Sequence, residues 1–109
     1  MADYHIDDPE VINRIVKAIS GEDKGIEQEA HDLVYGQRNQ DYGPPTVDFT
    51  RTGKIWGAML GIDPISPEMI ALMMAALKIS RLCQTPDHYD SRVDTIGYVL
   101  TLDRVIRNV

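Results

Sequence analysis

The segment Arg38-Asn39-Gln40-Asp41-Tyr42-Gly43-Pro44-Pro45 gathers two ionisable side chains, a phenol and three backbone breakers within eight residues. Such a composition predicts a non-helical connection of the kind that carries sites. Two later stretches, Lys78-x-x-Arg81 and His88-x-Asp90-Ser91-x-x-Asp94-x-x-Gly97-Tyr98, place charged and small residues where a purely structural helical protein would place apolar ones. Together the three outline a polar pocket whose walls are the Asp41-Tyr42-Gly43 turn, Lys78, Arg81 and the Asp90 to Tyr98 segment.

Lys78 follows nine consecutive apolar residues, so its stem is expected to be buried, and a buried ammonium needs an acid beside it. Asp94 is the expected partner. With Gly97, Tyr98 and Thr101 it falls on one helical stripe, and the small Gly97 admits a neighbouring helix. The pair either serves a ligand or simply sets helix register. Asp90 and Asp94 are four apart, a spacing at which carboxylates can share a divalent cation. The same two acids also read as helix-start residues, Asp90 as the cap and Asp94 completing Ser91-x-x-Asp94, which resembles a capping box. Glu68 is a further candidate acid, although the first turn of a helix favours an acid whatever else it does.

Arg38, Lys78, Arg81 and Arg92 supply positive charge suited to a phosphate, and Tyr42 and Tyr98 supply rings suited to stacking on a base. The competing reading is of exposed arginines at helix ends and a core tyrosine. His5 and His31 are scattered, whereas His88 adjoins Asp90 and is kept as a ligand contact. Neither a glycine-rich phosphate loop, a nucleophile elbow nor a zinc-ligand spacing occurs.

These residues require helices to hold them. Asp8-Pro9-Glu10 marks a helix start, followed by Val11, Ile12, Ile15, Val16 and Ile19 at helical spacing up to Ser20-Gly21. The polar connection Glu22 to Gly25 leads to a second helix with Ile26, Ala30, Leu33 and Val34 inward and Gly36 at its end. Thr46 is expected to cap a third helix ending at Gly61, with Val47, Phe49, Ile55, Trp56, Met59 and Leu60 on its apolar side. Gly53 and Gly57 lie four apart on it, permitting close contact with another helix. Ser66-Pro67-Glu68 opens a fourth helix over about residues 66–84, apolar all round from Met69 to Leu77 and therefore expected to be central and surrounded. A fifth helix runs to about Asn108, offering Val93, Ile96, Val99, Leu100 and Val105 to the core. The fold expected is all-α, a compact bundle of about five helices, with no strand-like alternation. Residues 1–25 form an amphipathic helix and linker, and residues 26–109 form the core that carries the motifs, within a single domain.

At 109 residues and 43% hydrophobic content the chain suits one core. The net charge of −6 argues against general nucleic-acid binding, which needs a basic surface. The excess lies wholly in residues 1–34, with nine acidic against three basic side chains; residues 35–109 are balanced, so the motif region remains suited to a small anionic ligand. No apolar run reaches the roughly 18 residues that span a bilayer, and the first residues lack a signal-peptide layout, so a cytoplasmic protein without a membrane partner is expected. The lone Cys83 is expected to be a buried packing residue.

Arg38-x-x-Asp41-Tyr42-Gly43, Lys78-x-x-Arg81 and His88-x-Asp90-Ser91-x-x-Asp94-x-x-Gly97-Tyr98 resemble, in that order, the signature of a family of phage and prophage proteins of unknown function. The resemblance covers roughly residues 27–102. The layout is also similar to the nucleotide-modification-associated domain of phage genomes, which implies a link to nucleotide metabolism and, for a phage protein, residence in the host cytoplasm. More distantly the chain resembles the all-α nucleoside triphosphate pyrophosphohydrolases of the MazG type. There a Glu-Glu-x-x-Glu helix and a Glu-x-x-Asp helix hold magnesium while water attacks a phosphate. This chain departs from that pattern: Glu68 has no Glu-x-x-Glu continuation, and the later pair is Asp90-x-x-x-Asp94.

The expected function is therefore binding of a nucleotide or nucleotide-like phosphate. In its enzymatic version Mg2+ is held by Asp90, Asp94 and Glu68 or Asp41, while Arg38, Lys78 and Arg81 steady phosphates. The alternative is a non-catalytic phage factor that sequesters a nucleotide signal or binds a host protein. A homodimer or larger assembly is expected in either case, because a second copy can close so apolar a fourth helix, and the N-terminal helix is an available contact.

Overall fold

A computed structural model describes residues 8–20 and 25–109, with the side chains of 17–20 excluded. Six helices and no strand occur among the described residues: α1 (Pro9–Ser20), α2 (Ile26–Tyr35), α3 (Gln37–Tyr42), α4 (Pro45–Leu60), α5 (Pro67–Gln84) and α6 (Tyr89–Arg107). The all-α bundle is as expected. His5, the side chain of Ile19 and the connection at 21–24 lie outside the described residues.

Local chemistry sets most of the boundaries. The Asp8 carboxylate accepts the Glu10 amide at 2.8 Å and opens α1. Gly36 ends α2, and Gly61 ends α4 in the left-handed region at φ 69°. The Ser66 hydroxyl accepts the Met69 amide at 3.2 Å, with Pro67 at the first position of α5.

Three expectations fail at this level. The Arg38–Pro45 segment is not wholly irregular, because Gln37–Tyr42 forms a short helix before the breakers act. Gln37 there bonds Asp41 at 2.8 Å, one turn on. Pro44, not Thr46, is the N-cap of α4, and Pro45 occupies its first turn. His88, not Asp90 or the Ser91-x-x-Asp94 box, caps α6: its Nδ1 lies 3.2 Å from the Ser91 amide and 2.9 Å from the Ser91 hydroxyl.

α5 and α6 form an antiparallel hairpin; α2 lies against α6, and α4 lies against α5 and touches α6. The core is Phe49, Ile70, Ala71 and Val105, with Trp56, Ile65, Met74, Tyr98 and Leu102 packed round it. The inward row of α4 is Phe49, Gly53 and Gly57, which leaves Val47, Ile55, Met59 and Leu60 exposed rather than in the core. On α6, Val93 and Val105 are buried, Ile96 and Leu100 half-buried, and Val99 faces out.

α5 is not surrounded. Ile70, Ala71 and Ala75 face the core, while Met69, Leu72, Met73 and Leu77 face outward. Cys83 is likewise exposed, on that outward side. The glycine pair of α4 receives no other helix: Gly53 and Gly57 accommodate the chain's own return segment at Asp63–Ile65, and the Ile65 amide donates to the Gly53 carbonyl at 3.1 Å.

Candidate functional site

Between α2 and α6 lies a cleft of about 160 Å³. Ala30, Leu33 and Val34 form its α2 wall, Val93, Asp94, Gly97, Tyr98 and Thr101 its α6 wall, and Arg38 of α3 closes one side. The four residues that spacing places on one stripe of α6, Asp94, Gly97, Tyr98 and Thr101, thus all line this cleft. Gly97 keeps the floor low, since a β-carbon there would stand 3.5 Å from Val34 Cγ2, an ordinary contact that fills space without collision. Leu33 is not in the core, contrary to its place on the apolar stripe of α2; it is half exposed because it stands at this opening.

Lys78 reaches Asp94 across the α5–α6 interface at 2.8 Å. The lysine side chain is 16% exposed and the aspartate 37%, so one end of the pair is dry and the other opens to the cleft. An ion pair this wet at one partner contributes only about 1 kcal/mol to stability, which leaves its carboxylate available for another donor.

Arg38 is the other charged wall. Its guanidinium lies over three rings, Tyr42 at 5.1 Å, Phe49 at 5.3 Å and Tyr98 at 5.6 Å. It donates one long bond, 3.4 Å, to Asp48. A guanidinium carries five donors, and the aromatic cage orients this one while leaving most of them uncommitted.

The remaining sequence candidates do not join this cleft. Asp41 is exposed and bonded by Gln37, and Tyr42 is exposed beneath Arg38. Gly43 takes φ 74°, the left-handed backbone that turns the chain from α3 into α4. Arg81 and His88 line a separate cleft at the α5–α6 turn with Gln84, Thr85 and Ser91. Asp90 is exposed in the first turn of α6. Glu68 lies ten residues from Lys78 on α5, about 15 Å along the axis, so within one chain it does not approach Asp94. Among the described residues no group of three or more His, Cys, Asp or Glu side chains is arranged to hold a metal ion.

Sequence reasoning missed the residues that brace the cleft. Arg104, only 6% exposed, donates to the Val34 carbonyl at 3.0 Å and to the Asn39 side chain at 3.0 Å, tying α6 to both α2 and α3. The Tyr89 hydroxyl bonds Glu29, joining the start of α6 to α2, and Arg14 of α1 covers the Tyr89 ring at 4.2 Å. Helical phase was the available signal for Arg104, which shares a face with Val93 and Gly97.

A domain family described as Domain of unknown function (DUF6378) matches residues 26–106. Two relatives come from mycobacteriophages. The chain is 37% identical over 76 residues to the Gene 55 protein of Mycobacterium phage L5, covering 70% of this chain and 49% of the relative. It is 33% identical over 82 residues to the Gene 55 protein of Mycobacterium phage D29, covering 75% of this chain and 54% of the relative. The chain therefore spans about half the length of the curated relatives it matches. No solved structure matches it. No helix among the described residues is long and apolar enough to cross a membrane.

Proposed function

We infer that this chain, which belongs to the DUF6378 family and is a phage protein, binds a small anionic, nucleotide-like ligand in the α2–α6 cleft. The observation that carries this reading is that Arg38 and Asp94, opposite charges with donor and acceptor capacity to spare, flank a mostly apolar slot that also holds Tyr98. Ligand sites combine an apolar body with a few such polar groups. At about 160 Å³ the slot takes a flat heterocycle rather than a whole nucleotide. The ring lies against Tyr98, with Asp94 accepting from an exocyclic amine. The phosphates remain at the rim, where Arg38 exchanges its long bond to Asp48 for a shorter one to phosphate oxygen.

Binding without turnover is favoured over magnesium-dependent hydrolysis. Asp90 and Asp94 have no third acid beside them among the described residues. Thermal-shift measurements with a panel of ribo- and deoxynucleotides, with and without Mg2+, test the reading: at least one nucleotide is expected to raise the Tm in the absence of metal. A flat response to every nucleotide at millimolar concentration would sink it. Monophosphate and pyrophosphate appearing from a triphosphate would replace it with the hydrolase reading.

Gly97→Ala separates ligand binding from folding. Replacing a helical glycine where the new methyl meets only ordinary contact is expected to raise stability by about 0.5–1 kcal/mol. The same methyl fills the floor of the cleft, so nucleotide affinity is expected to fall at least tenfold, read by calorimetry. Arg38→Ala should also weaken binding at least tenfold, with a loss that shrinks as salt rises.

A further inference from the structure

The geometry points to the outward face of α5 as an isologous interface with a second copy of this chain, the two α5 helices antiparallel and crossing at Ala76. Met69, Leu72, Met73, Ala76, Ser80 and Cys83 share one stripe of α5, all of them exposed, and no charged residue interrupts it over about 21 Å. Opposite them, Ala71, Met74, Ala75 and Lys78 face the bundle.

The stripe is graded in size. Its first half carries large side chains, Met69 and Leu72 exposed to 48% and 46%, with Met73 beside them; its second half carries Ala76, Ser80 and Cys83. Two copies related by a two-fold axis at Ala76 set Met69 against the partner's Cys83 and Leu72 against the partner's Ser80, so the bulk of each fills the hollow of the other. A two-fold contact requires such self-complementarity, and an unrelated partner would not need it.

The area agrees. With the flanking Leu77 and Ile79 the stripe exposes roughly 500 Å² of side chain, so two copies together reach the ~1,000 Å² at which an interface becomes specific.

Sedimentation velocity of the full chain over a micromolar concentration series tests the interface. Twice the 12.3 kDa chain mass is expected for wild type, and the chain mass for Ala76→Glu, with helicity unchanged by circular dichroism because position 76 is exposed. Ala76→Cys in a Cys83→Ser background is expected to give a disulfide-linked dimer with diamide, since a residue on the axis brings its own copy within disulfide reach. A wild type that stays monomeric at 100 µM overturns the proposal. So does a dimer that survives Ala76→Glu and yields no Ala76→Cys cross-link; loss of that dimer in Ile12→Glu instead moves the contact to α1.

Discussion

Gly53→Ala is expected to cost about 3 kcal/mol or more and to lower the melting temperature by ~15 °C. A β-carbon at Gly53 would stand 1.9 Å from the Ile65 carbonyl oxygen and 3.0 Å from its carbon, and both are backbone atoms that cannot rotate away. Ile65 is held there by the hydrogen bond that its amide donates to the Gly53 carbonyl at 3.1 Å, so relieving the clash breaks that bond as well. Helix propensity pulls the other way by only ~1 kcal/mol, and the clash wins. Against a total stability of roughly 5–15 kcal/mol the loss is a large share. Thermal denaturation followed by circular dichroism reads it, with Gly97→Ala as the control: the same exchange, on a helix of the same bundle, is expected to shift the midpoint upward. A Gly53→Ala midpoint within 2 °C of wild type would show that the 61–65 segment moves freely off α4. Close backbone approach would then not be what requires a glycine at this position.

The contrast between those glycines shows what was legible in the sequence. Spacing alone marks Gly53 and Gly57 as a close-approach surface, but the approaching partner is backbone from the same chain, and periodicity carries no information about that. α5 is readable almost to the residue, because a serine cap, a proline at the first position and a proline after the end are local signals. α3 is not: the breakers that suggest an irregular loop stand after Tyr42, and six residues of Gln37–Tyr42 fit between the two glycines before they act. In the site, Lys78 and Asp94 can be paired from sequence because nine apolar residues before a lysine leave few ways to satisfy its charge. Only proximity along the chain groups Arg81 and His88 with that pair. Three residues along α5 rotate a side chain by about 300°, and the capping role of His88 holds it at the turn, so these two face a different cleft. The outward face of α5 illustrates the same limit from the other side. Hydrophobicity all round marks a helix that has to be covered, without saying whether its own chain or a second one covers it.

Arg104→Met is expected to cost about 2–3 kcal/mol and to weaken ligand binding, although its side chain does not line the cleft. The guanidinium is nearly dry, and among the described residues its hydrogen-bond acceptors are the Val34 carbonyl, the Asn39 side chain and the main-chain oxygen of Val109 at 3.2 Å. Its cation also sits 4.6 Å over the Tyr35 ring. Removing the charge recovers part of the cost of burying it, which is why the expected loss is not larger. What remains is a buried carbonyl at the end of α2 and an amide on α3, both stripped of their donor, at ~1 kcal/mol or more each. Lysine does not substitute, since a single ammonium cannot span acceptors on α2, on α3 and at Val109, so Arg104→Lys is expected to lose most of the same stability. The functional consequence runs through geometry. Val34 is in the cleft wall and Asn39 neighbours Arg38, so one side chain sets the angle between the α2 wall and the α3 side of the slot. Thermal denaturation measures the first effect, and nucleotide titration well below the mutant's melting temperature measures the second. Full affinity in a destabilised Arg104→Met would mean that the α2–α3 joint does not position Arg38, and that the aromatic cage of Tyr42, Phe49 and Tyr98 holds it unaided.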